Sequence, residues 1–82
     1  MVSHNGEKPP YQEVARVLYR FHPQKLRPSD ISEELPGDRN PQMVACVLNG
    51  YMDKQGLVSR TGGRGARRYG LTRTGRQIAR GL

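Results

Sequence analysis

A chain of 82 residues with a single cysteine cannot close an internal disulfide, and it has no apolar run near the roughly 18 residues that a membrane span requires. Hydrophobic residues make up only 34% of it, yet they recur at helical spacing, which argues against disorder and predicts a thin folded core. The whole formal charge of +7 sits in residues 56–82, which hold seven arginines and no acid, so the expected partner is a polyanion, nucleic acid ahead of an anionic membrane surface.

Residues 1–8 are polar, precede two prolines and are expected to fray as a flexible segment ahead of a domain over residues 9–82. They also lack the apolar segment of a signal peptide, so an intracellular protein is expected. Pro9 and Pro10 suit a helix entrance. Beyond them Tyr11, Val14, Val17, Leu18 and Phe21 follow the spacing of one apolar stripe, predicting a helix from about residue 10 to 22 that stops before Pro23. A short second helix is read from Leu26 to Leu35, with Pro28 at its first position and Leu26, Ile31 and Leu35 inward; any short strand should lie near Lys25 to Arg27. Pro36 and Gly37 stop it.

Asn40 as a side-chain cap and Pro41 as first helical residue restart the chain as a third helix, which runs to Gly56 with Ala45, Leu48 and Met52 in line and Val44 and Tyr51 flanking. From Leu57 the period becomes two. Leu57–Thr61 and Arg67–Leu71 read as strands of a hairpin whose tip is Gly62, Gly63 and Gly65, with Tyr69 and Leu71 toward the helices and Arg68 outward. Thr72 can cap a last short helix in which Ile78 and Leu82 form an i, i+4 apolar pair. The fold class expected is mainly α with a small antiparallel β-hairpin.

Three helices followed by a Gly/Arg-tipped hairpin is the element order of a winged helix-turn-helix, with a short C-terminal helix after the β-wing. The chain resembles the prokaryotic winged-helix transcriptional regulators of the MarR and PadR groups, through Gly56-Leu57-Val58 and the run from Arg68-Tyr69-Gly70-Leu71-Thr72 to Arg76. The likeness covers about residues 11–82. It implies a dimeric, nucleoid-associated cytoplasmic regulator that binds double-stranded DNA. The small size of the chain, which buries roughly 60–65% of its unfolded surface, agrees with a homodimer, for which the first and last helices are the candidates.

Helix 40–55 would then enter the major groove through Arg39, Asn40, Gln42 and Met43, with Cys46 and Asn49 on the same exposed side, because Gln or Asn can pair with adenine and Arg with guanine. The wing, 57–71, would straddle phosphates or enter the minor groove with Arg64 at its tip and Arg60, Arg67 and Arg68 on its strands, while Arg73 and Arg76 hold flanking backbone. Four or five such contacts give a log–log salt slope of about −3.6 to −4.5. The third helix carries only Lys54 as a cation, against Asp53, which keeps an RNA or ribonucleoprotein module in play; a protein-interaction surface of Met43, Val47 and Tyr51 is a third reading. Cys46 is read as a small apolar filler, Tyr51 and Tyr69 as core or core edge, and Gly50 as either a close-approach point or a tolerated surface glycine. No enzyme, metal or cofactor is expected: His4 and His22 have no second ligand at metal spacing and no acidic pair, and the glycines lack a Gly-Lys-Ser/Thr step.

Overall fold

The computed structural model describes residues 9–36, 40–63 and 67–82. The expected fraying of residues 1–8 therefore lies outside the described residues, as do Arg39 and Arg64. The elements follow in the order α1 (Tyr11–Phe21), α2 (Pro28–Glu34), α3 (Pro41–Val47, continuing as a π-helical turn over Leu48–Met52), β1 (Val58–Thr61), β2 (Arg68–Leu71) and α4 (Arg73–Arg80).

Each boundary has a local cause. α1 stops at Phe21 because His22, ahead of Pro23, is extended at ψ 137°. α2 opens on Pro28, and the Asp30 carboxylate accepts from the Arg27 backbone N–H at 3.1 Å, satisfying a donor at the helix entrance. At the start of α3 the Asn40 Oδ1 accepts from the Gln42 N–H at 2.8 Å, with Pro41 at the first position. The third helix ends in a Schellman motif. Gly56 takes φ 70°, its N–H donates to Asp53 O at 3.0 Å, and the Leu57 N–H donates to Met52 O at 2.8 Å. Thr72 caps α4 by accepting from the Gly75 N–H at 3.1 Å.

β1 and β2 pair antiparallel, with Val58 opposite Leu71, Arg60 opposite Tyr69 and Thr61 opposite Arg68. The expected short strand is a single residue. Leu26 and Tyr69 exchange both backbone bonds, at 2.9 and 2.7 Å, so β2 lies between β1 and Leu26. Side chains directly opposite share a face, so Val58, Arg60, Tyr69 and Leu71 line the inner side of the sheet, and Ser59, Thr61, Arg68 and Gly70 the outer side.

The core gathers Val14, Val17 and Leu18 of α1, Ile31 of α2, Leu35, Val44, Val47, Leu48 and Met52 of the third helix, and Leu57, Val58, Tyr69 and Leu71 of the hairpin. Tyr11 and Phe21 are half-buried against it. Two expectations shift. Val44 and Val47 point inward with Leu48 and Met52, which leaves Ala45 half-buried and Cys46 exposed, not a core filler. Tyr69 is fully in the core, but Tyr51 is 49% exposed and rests on Tyr11, ring centroids 4.7 Å apart. On α4 the inward residues are Gly75 and Ala79; Ile78 is exposed, and Leu82 stands past the end of the helix, so it is not the helical partner of Ile78 that the spacing predicts.

Gly50 has no described atom within 4 Å of where its Cβ would lie, so no described residue approaches closely there. Gly50→Ala is expected to stabilise the fold by about 0.5–1 kcal/mol, since it lowers the entropy of the unfolded chain and meets no obstruction. Urea unfolding checks this; a loss of stability would reveal an unrecognised contact at that point.

Candidate nucleic-acid interface

The expected interface residues fall into three neighbourhoods. The first is the start of α3. Gln42 is exposed, Met43 and Asn40 are half-buried, and the Asn40 side chain is engaged as the cap. Gln42 is thus the side chain of this group whose amide is left available to a partner.

The wing makes the second neighbourhood, and its arginines divide by strand parity. Arg60 lies on the inner face. Its Nη1 donates to Asn49 Oδ1 at 3.0 Å, and its Nη2 stands 3.9 Å from Asp53 Oδ2, so the guanidinium is turned back onto the third helix. Asn49 is a junction. Its Oδ1 also accepts from the buried Tyr69 hydroxyl at 3.1 Å, and its Nδ2 donates to Ala45 O at 3.0 Å. The side chain expected among the groove readers instead fixes the wing to the helix.

Arg68 is exposed on the outer side, and Arg67, just ahead of β2, is exposed as well. The antiparallel pairing centred on Leu26 and Tyr69 sets Lys25 opposite Gly70 and Arg27 opposite Arg68. The stem of Lys25 covers Gly70 accordingly, its Cγ 2.9 Å from where a Cβ on Gly70 would stand. Arg27, Pro28, Ser29 and Arg67 line a shallow hollow of about 310 Å³. Arg27 holds Asp30 through Nε to Oδ2 at 3.2 Å and Nη2 to Oδ1 at 3.3 Å. Hydrogen bonding from Arg27 lowers the Asp30 carboxyl below the ordinary carboxylate range, and the nearby charge of Arg68 acts in the same direction. Lys25 and Arg27 were missed as interface candidates; the signal was available, because alternation about an inward Leu26 puts both on the outer face.

The third neighbourhood is elsewhere. Arg73 and Arg76 line a hollow with Tyr19 of α1 and His22 just past its end, not with the start of α3. Among the described residues no group of His, Cys, Asp and Glu could hold a metal ion, and no helix is long and apolar enough to cross a membrane.

No protein-family model matches this sequence, and no curated protein matches it. Among solved structures, the chain is similar to the crystal structure of MepR, a transcription regulator of the Staphylococcus aureus multidrug efflux pump MepA. The two superpose with a TM-score of 0.72 at 21% identity, over 92% of this chain and 55% of the MepR chain. The fold is therefore a winged helix-turn-helix, shared with MepR, as the element order implied, and the chain spans little more than half the length of that neighbour.

Proposed function

We propose that this chain is a DNA-binding winged-helix domain of a transcription regulator, which sets helix 40–55 in the major groove and the wing 57–71 on adjacent phosphates or in the minor groove. The observation that carries the reading is the exposure of Arg67 and Arg68, beside Lys25 and Arg27, in a fold shared with a transcription regulator. Gln42, with Arg39 and Met43, supplies base contacts; the wing supplies most of the affinity, since α3 itself offers no cation. Arg60 serves as a strut for the wing and is not a phosphate ligand. Homodimerisation through the first and last helices belongs to the same reading, with Ile78 at 38% and Leu82 at 42% exposure as apolar surface on the last helix and just beyond it. Sedimentation as a monomer with and without duplex would remove it.

With Arg60 withdrawn, Arg64, Arg67 and Arg68 are the wing cations left for phosphates and contribute about −2.7 to the log–log salt slope of duplex binding, with Lys25 beside them adding about −0.9. Replacing Arg67 and Arg68 with alanine should lower the magnitude of the slope by about 1.8, whereas Arg60→Ala should leave it near its starting value. Selection from a random duplex library gives the site. A slope near zero in the parent chain, or preference for structured RNA over duplex at one fixed salt, would reject the assignment, the latter outcome in favour of an RNA-binding module.

A further inference from the structure

The hollow between the end of α1 and α4 has a composition that the fold does not require. It measures about 310 Å³ and is lined by Tyr19, His22, Arg73, Arg76, Gln77 and Arg80, with no acid. Arg73, Arg76 and Arg80 stand at i, i+3 and i+7 on one stripe of a short helix, and none has a side-chain partner among the described residues. Like charges at this spacing destabilise a helix, and cations in its first turn oppose the helix dipole, so the stripe weakens α4 when nothing anionic is near it. Three other arginines are held by partners, Arg20 by Glu34 at 2.7 Å, Arg27 by Asp30 and Arg60 by Asn49, whereas Arg67 and Arg68 on the wing share with this stripe the lack of a side-chain partner among the described residues.

We propose that this hollow is a binding site for a compact phosphate-type oxyanion, either free phosphate or the phosphate group of a small monoester. Three guanidiniums offer forked donors, and the Gln77 amide, the Tyr19 hydroxyl and the His22 ring add more. That supply exceeds the two oxygens of a single carboxylate and suits the several oxygens of a phosphate, which arginine binds in bidentate fashion. The volume lies at the lower end of small-ligand sites, about 300–1,000 Å³, which leaves room for a phosphate with or without a small organic substituent. The site is separate from the wing and does not depend on the chain binding DNA.

The test titrates the full chain with inorganic phosphate, and in a second arm with glycerol phosphate, at constant ionic strength, following the amide resonances of Tyr19, His22 and Gln77. Saturable shifts confined to this hollow are expected, with Arg76→Gln weakening binding at least tenfold. Arg80→Gln, at the exposed end of α4, should also weaken it several-fold and cannot be dismissed as unfolding. Tighter binding of the ester than of phosphate assigns the site to a monoester; equal binding assigns it to the free ion. Shifts that grow linearly or spread over every arginine would overturn the proposal. So would a drop of about 0.9 in the magnitude of the duplex salt slope on Arg80→Gln, because the hollow would then be part of a duplex footprint.

Discussion

Gly75→Ala is expected to cost about 2–3 kcal/mol of folding stability, even though alanine is the better helix former by about 1 kcal/mol. Gly75 is a buried residue near the start of α4. A Cβ there would collide with the carbonyl oxygen of Leu57 and would stand 3.0 Å from both the Leu57 carbonyl carbon and Leu71 Cδ2. The obstruction is backbone, and that backbone is held on every side. Leu57 O accepts from the Thr72 N–H at 2.9 Å, and the Leu57 N–H closes the Schellman motif at 2.8 Å. The Thr72 hydroxyl donates to Gly56 O while accepting from Gly75 itself. Relief requires α4 to move off the hairpin and to break the joint that fixes its angle. At about 4–8 °C per kcal/mol for a domain of this size, the melting temperature should fall by roughly 8–24 °C. Gly81→Ala is the control, since its Cβ would lie 3.6 Å from Ile78 O, an ordinary contact. Equal stabilities for the two variants would show that α4 is not seated as described.

That joint also explains how much of the molecule could be read from its residues. Proline and glycine placement made the helix limits legible: Pro41 after Asn40, Gly56 at a left-handed position, and Thr72 ahead of the last helix each act through one or two local hydrogen bonds. Leu26, read both as the first inward residue of the second helix and as near a short strand, proves to be the strand position only, since α2 begins at Pro28 and Leu26 pairs with the distant Tyr69. What did not show was anything decided by partners distant in sequence. The widening of the third helix over Leu48–Met52 has no local signature in Leu-Asn-Gly-Tyr-Met, and the inward turn of the helix moved Ala45 and Cys46 off the core. For the arginines, composition gave one basic tail, while strand parity splits it. Arg60 shares a face with Val58 and Tyr69, Arg68 does not, and Arg73 and Arg76 leave the wing altogether.

Asn49 tests that division directly. Replacing it with alanine is expected to cost about 1–2 kcal/mol, because the Tyr69 hydroxyl loses its acceptor at the edge of the core and Arg60 loses one of its two ties. Tyr69 is 2% exposed, so its ring stays where the core puts it and the orphaned hydroxyl cannot swing freely to water. Tyr69→Phe alone should cost about 1 kcal/mol by leaving Asn49 Oδ1 with Arg60 as its remaining donor. In the double variant neither the donor nor the acceptor remains, so the total should fall short of the sum by about 0.5–1 kcal/mol. A strictly additive cycle would mean that the 3.1 Å contact carries no energy and that Arg60 alone ties the wing to the helix. In the coupled case the wing is held at a fixed angle by two uncharged side chains, which under the proposed function presents it to the duplex already oriented, with less conformational freedom to lose on binding.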